Sequence, residues 1–177
     1  PRRLGAAREA IEVRAPARIE DAERFIEVSP ADGRIVEVSI DFPDEAIGSQ
    51  TVILSLDAPE DVARIAAART FCRLRDVEAM RAAGLGLGGS LNNAIVVDGA
   101  RVLNEEGLRD HQEFALHKAL DLIGDLNLLG APLYGRVRAH KPGHELNARL
   151  VRRLAGDLAS VERRVIPVEA EPARATA

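Results

Sequence analysis

The sequence predicts an α+β fold: a two-layer sandwich, a sheet packed on helices, with a small β-α-β insertion. Three observations predict it. Residues 11–58 alternate apolar and polar side chains with the period of half-buried strands. One long amphipathic stretch, His111 to Leu129, repeats with helical period and ends at Gly130 and Pro132. A strand and a further amphipathic helix follow it, while a Gly-rich segment interrupts the pattern between residues 84 and 90.

The elements follow in order. Ile11–Arg14 and Ala17–Glu20 read as short strands separated by Pro16. Phe25–Val28 leads through Pro30-Ala31-Asp32-Gly33, turn residues where a hairpin wants them, into Ile35–Ile40. Thr51–Leu56 is a further strand, and Pro59 starts a helix over Glu60–Ala68 because Pro is tolerated in a first turn. Thr70–Cys72 is extended, Asp76–Ala83 is a short helix closed by Gly84, and Ala94–Val97 with Val102–Leu103 completes the insertion. Asp110 and Glu113 have capping-box spacing at the start of the long helix. Leu133–Ala139 is a strand and His144–Leu154 a helix, and residues 157–177, Pro/Glu/Ala/Arg-rich from about Val165, are expected to be a disordered or weakly ordered tail.

Composition narrows the chemistry. With 46% apolar residues the 177-residue chain builds a core, but 3% aromatics and no Trp leave that core to Leu, Ile, Val and Ala. A net charge of −4 argues against nucleic acid as the main partner. The single cysteine, Cys72, excludes an internal disulfide framework and suits a reducing compartment. No apolar run approaches the roughly 20 residues of a membrane span, and no signal peptide opens the chain, so a cytoplasmic location is expected. The first residue is Pro1, so the chain is expected to be processed or a fragment.

Within the long helix His117, Asp121 and Asp125 recur every four residues. Each step of four drifts by roughly 40°, so the three form one stripe. Apolar residues flank it on both sides, Leu116, Leu120 and Ile123 on one and Ala119, Leu122 and Leu126 on the other, which turns the stripe inward or into a cleft. Ionisable groups there must be paired, protonated or bound to metal. A His and an Asp one turn apart reach a single cation about 2 Å from each donor, an N/O pair that suits zinc. The same spacing also serves a buried His–Asp hydrogen bond, and both readings stand at this point. His144, in the loop His140-Lys141-Pro142-Gly143-His144, opens the last helix and is a second candidate. Gly86, Gly88 and Gly89 lack the Lys-Ser/Thr of a phosphate loop and read as a tight turn.

Five segments carry a resemblance: Ala68-Arg69-Thr70-Phe71, the run Gly84–Ser90, the run Val102–Arg109, the run His117–Leu126, and Gly143-His144-Glu145-Leu146-Asn147. In order and spacing the chain resembles the UDP-3-O-acyl-N-acetylglucosamine deacetylases, zinc hydrolases that commit a Gram-negative cell to lipid A synthesis, over roughly residues 10–155. That resemblance implies a protein of two similar α+β domains with the active site between them. Residues 1–10 would be a linker from a first domain, residues 11–156 the second domain, with an insert at about 72–102 that forms an apolar passage for an acyl chain. His117 and Asp121 would be two of three zinc ligands, the third ligand and a glutamate base coming from the first domain. His144 would protonate the leaving amine, Asp125 would orient it, and the Thr70 hydroxyl would help hold the oxyanion. Phe71 would pack on the sugar, Lys118 and Lys141 would lie near the UDP phosphates with Gly143 beside them, Asp41 and Phe42 would contact uridine, and Arg24 would take a nucleotide-binding position. A non-catalytic binding module with a buried His/Asp network and a zinc amidohydrolase acting on another acylated sugar are the competing readings.

Overall fold

Strands β1 (Arg8–Val13), β2 (Ala17–Asp21), β3 (Arg24–Ser29), β4 (Arg34–Asp41) and β5 (Ser49–Ser55) form because their residues alternate between a buried and an outward face. They precede helix α1 (Pro59–Ala67), strands β6 (Thr70–Arg73), β7 (Ala94–Asp98) and β8 (Arg101–Val102), helix α2 (Glu113–Leu126), a 3-10 turn over Asn127–Leu129, strand β9 (Leu133–His140), helix α3 (His144–Gly156) and strand β10 (Val161–Ile166). This is a computed structural model, and it describes residues 8–77, 93–157 and 159–166. The α+β sandwich is as the sequence predicts.

Strand β9 organises the larger, seven-stranded sheet. It pairs in parallel with β1 at Leu133 and Tyr134, antiparallel with β3 and in parallel with β4. At Gly135 it passes from the first partner to the others, with φ 135°. A Cβ there would stand 2.9 Å from the Ser29 carbonyl oxygen and 3.0 Å from the Val13 side chain, so only glycine lets the three strands meet. The hairpin expected across Pro30–Gly33 is therefore absent: β9 lies between β3 and β4, and the hairpin in this region is β2 with β3. Helix α2 packs on β4 and β5, α3 on β2 and β3, and the two helices pack on each other. Ile26, Val38, Leu54, Phe114, Leu122, Leu146 and Leu150 fill the layer between them.

Two boundaries differ from expectation. The segment 161–166 is a strand, paired residue by residue with β1 from Val13↔Val161 to Arg8↔Ile166. Its central residues are exposed, so its order comes from backbone pairing rather than from burial of side chains. The same pairing begins at Arg8, inside the stretch expected to be linker. In the smaller sheet β6 and β7 run parallel, which requires a crossover between them, as in the β-α-β insertion. Residues 74–77 are helical; the rest of the helix expected over 76–83, the Gly-rich segment and the tail beyond residue 166 lie outside the described residues.

The expected capping box at Asp110 and Glu113 is replaced by a stronger interaction. Asp110 does accept from the Gln112 backbone N–H at 2.8 Å, but Glu113 is turned into the protein, 0% exposed. Its Oε1 accepts from the backbone N–H and Nε of Arg69 at 3.0 and 2.9 Å, and its Oε2 accepts from Arg69 Nη2 at 3.1 Å and the Arg109 N–H at 2.6 Å. Arg69, 4% exposed, also donates to Glu106 Oε1 and the Gly107 carbonyl. Burial pushes the Glu113 carboxyl up, but the Arg69 side chain and the two backbone N–H groups outweigh it and hold the group below its usual 4.5.

Removing one partner strands a buried charge. Arg69→Met or Glu113→Ala alone is expected to cost about 3–5 kcal/mol in urea unfolding, and the double replacement less than the sum. Because the folded-state pKa of Glu113 is depressed, its contribution is complete above pH 4.5 and is lost as pH falls through the folded value. Stability of the Glu113→Ala variant should therefore fall less steeply with acid than that of the native chain.

Candidate functional site

The fold places the His117, Asp121 and Asp125 stripe along the margin of the buried face of α2, with side chains 15%, 17% and 22% exposed. The three side chains are half-buried rather than open to solvent. Nε2 of His117 stands 3.3 Å from Oδ1 of Asp121, and Lys118 Nζ donates to the other oxygen, Oδ2, at 3.0 Å. Burial lowers the pKa of His117; Asp121 and the Ala68 backbone oppose the shift, while Lys118 and His144 add to it. The ring is thus held neutral at pH 7, with a lone pair available. Nδ1 is buried without a hydrogen-bond partner of regular geometry, which leaves Nε2 as the nitrogen aimed at the carboxylate.

Two ligands bound about 2.0–2.1 Å from a tetrahedral ion lie roughly 3.3 Å apart, so the observed separation and the neutral imidazole fit a zinc ion shared by His117 and Asp121. Among the described residues no cluster of three or more His, Cys, Asp or Glu side chains offers a full ligand set.

His144 begins α3, directly after the extended residue Gly143. Its side chain is 71% exposed, and its Nδ1 is 2.8 Å from Oδ2 of Asp125. The influence of His144 on His117 places the two histidines in one electrostatic neighbourhood. Phe71 stands edge-on to the His117 ring, with centroids 6.2 Å apart, and also meets Phe42 at 5.5 Å and Phe114 at 5.1 Å. Thr70 is exposed at the start of β6, directly before Phe71 on a strand whose successive side chains point to opposite faces.

The remaining candidates form a flank. Lys141 has a left-handed backbone, φ 49°, and its Nζ bridges Glu23 Oε1 at 3.0 Å and Asp41 Oδ2 at 3.2 Å. The Ser49 hydroxyl donates to Asp41 Oδ1 at 2.6 Å and, with Lys141, holds that carboxyl below its ordinary range. Arg24 is tied to Asp21 and reaches Glu145 Oε2 at 3.6 Å, so it stands beside the first turn of α3 rather than with Asp41 and Lys141. Sequence reasoning missed Glu23, Ser49 and Asn147. Asn147 is fully buried, and its Nδ2 donates to Asp125 Oδ2 at 2.8 Å. Its spacing of three from His144 on one helix was the available signal.

Against known proteins, the family model described as LpxC: UDP-3-O-acyl N-acetylglycosamine deacetylase matches residues 2–156. The UDP-3-O-acyl-N-acetylglucosamine deacetylase of Anaeromyxobacter sp. (strain Fw109-5) is 46% identical over 156 residues, 88% of this chain and 51% of the relative. That of Acidithiobacillus ferrooxidans (strain ATCC 53993 / BNL-5-31) is 48% identical over 146 residues, 81% and 48% of the two chains, and that of Phenylobacterium zucineum (strain HLK1) 47% over 150 residues, 85% and 51%. The chain spans about half the length of the curated relatives it matches.

The aromatic cluster supports the His117 wall mechanically. Phe71→Ala is expected to destabilise the chain by about 3 kcal/mol, the low end for a buried ring, and Phe71→Leu by less than about 1.5 kcal/mol. Equal midpoints for the two variants in urea unfolding would show that the cluster bears no part of the packing.

Proposed function

The chain belongs to the UDP-3-O-acyl N-acetylglycosamine deacetylase family, and on that premise we propose that it forms one wall of the active site of a zinc-dependent hydrolase that removes the N-acetyl group from UDP-3-O-acyl-N-acetylglucosamine, the committed step of lipid A biosynthesis in a Gram-negative cell. The observation that carries the reading is the 3.3 Å approach of a neutral imidazole nitrogen to a carboxylate oxygen one turn apart on a half-buried helix face. The third zinc ligand and the general base come from a first domain, the partner of this wall.

His117 and Asp121 would hold the zinc, which when bound would supply a Lewis acid and an activated water. Lys118 neutralises the second Asp121 oxygen and so keeps that carboxylate ionised and oriented. The Thr70 hydroxyl donates to the oxygen on which negative charge develops. His144, held through Nδ1 by Asp125, presents Nε2 and, in its imidazolium form, delivers the Nε2 proton to the departing amine, returning to the neutral ring. Phe71 packs on the sugar ring, and the insert at 72–102 leads the acyl chain away. Lys141, Lys118, Gly143 and Arg24 receive the diphosphate side of the nucleotide, and Asp41 with Phe42 receives the uridine. The reaction belongs in the cytoplasm, in keeping with a lone cysteine and with the absence, among the described residues, of a helix long and apolar enough to cross a membrane.

The test is a chimera in which this chain replaces the matching half of the Anaeromyxobacter relative. His117→Ala and Asp121→Ala are expected to lose bound zinc, read by metal analysis, together with turnover. His144→Ala is expected to keep the metal and lose about 10²–10⁴-fold in kcat. An active chimera whose turnover survives all three changes would remove the basis of the assignment.

A further inference from the structure

Asn147 does something no role above requires of it. Its side chain is 0% exposed, on the first turns of α3, and its Nδ2 donates to Asp125 Oδ2 at 2.8 Å. That oxygen is also the one 2.8 Å from His144 Nδ1. Meanwhile its own Oδ1 is buried with no hydrogen-bond partner among the described residues, an arrangement that costs stability. Turning the amide over would put its oxygen against the carboxylate oxygen, so the orientation is dictated by Asp125. A polar group retained at such cost calls for a reason beyond packing, since Leu would fill the position without an unpaired acceptor.

The reason lies in counting donors. A carboxylate oxygen that accepts from Asn147 still has a lone-pair direction for a second donor, and among the described residues the group presented to it is His144 Nδ1. Asn147 therefore fixes the rotation of the Asp125 carboxylate and aims its free lone pair at the imidazole. Nδ1 must then carry the proton, and in the neutral ring Nε2 is left bare, pointing away from Asp125. An exposed histidine with one anchored nitrogen would otherwise exchange tautomers and swing about its side-chain torsions.

We propose that Asn147 is a positioning residue that locks the Asp125 carboxylate and, through it, the Nδ1–H tautomer and the orientation of His144. The value of this for proton delivery rests on the deacetylase reading; the lock itself does not. The same bond ties α3 to α2, so a merely structural role would move stability and leave the tautomer as it was.

The experiment is nitrogen-15 long-range correlation NMR on the full chain, with His144 assigned by His144→Gln, at a pH where the ring is neutral. The native chain is expected to show His144 protonated at Nδ1, with one Asn147 side-chain amide proton exchanging slowly. Asn147→Leu and Asn147→Ser, checked for folding by circular dichroism, are expected to lose that preference and give a tautomer mixture. A native-like tautomer in either folded variant overturns the proposal. So does a native chain in which His144 carries its proton on Nε2, or in which the Asn147 amide exchanges at solvent rates, and neither result needs a variant to fold. In the chimera, Asn147→Leu should lower kcat about 10–100-fold with KM and zinc content unchanged. An inactive chimera beside a locked tautomer would count against the deacetylase reading alone.

Discussion

The buried pair of Arg69 and Glu113 is the constraint on which the arrangement of the site depends. Four donors converge on one carboxylate at the start of α2, and the guanidinium that supplies two of them reaches on to Glu106 and the Gly107 carbonyl. This joins the end of α1, the start of β6, the loop after β8 and the first turn of α2. His117 lies one turn further along α2, and Thr70 and Phe71 directly follow Arg69. The distance between the His117 imidazole and the β6 side chains is thus set by an interaction that water cannot reach. An apolar replacement of similar volume would pack there, but it would not fix four segments in one register. That two of the segments carrying the family resemblance, Ala68–Phe71 and Val102–Arg109, contain Arg69 and its partners Glu106 and Gly107 has a physical basis: they are bonded to each other.

Much of the fold was legible because the strands and helices of this chain carry their periodicity in the sequence. The errors share a cause. The turn residues Pro30–Gly33 do make a turn, but whether the strands on either side pair is decided by β9, some hundred residues later, and local chemistry holds no record of it. The Asp110 and Glu113 spacing is that of a capping box, yet a buried arginine offers Glu113 more than one backbone N–H could. Strand β10 was illegible for a different reason. Its sequence, Val161-Glu162-Arg163-Arg164-Val165-Ile166, buries little apolar surface and is ordered by the ladder it makes with β1.

At the site, the four-residue spacing of His117, Asp121 and Asp125 was readable because a helix converts spacing into a face. What the sequence could not supply was the partner of each group. Asn147 is 22 residues from Asp125 and meets it only because α2 and α3 pack together. Glu23 and Lys141 meet across the end of the sheet, where the β2–β3 hairpin approaches the strained residue that follows β9.

Those partners explain how two aspartates one turn apart on the same helix come to differ. Asp121 faces the His117 imidazole, Nε2 standing 3.3 Å from its Oδ1, and Lys118 occupies its other oxygen. Asp125 meets two N–H donors on a single oxygen and is satisfied as it stands. On the proposed reading one carboxylate would share a metal with His117 while the other holds the His144 ring in place. The difference follows from what lies beside each, since the side chains themselves are identical.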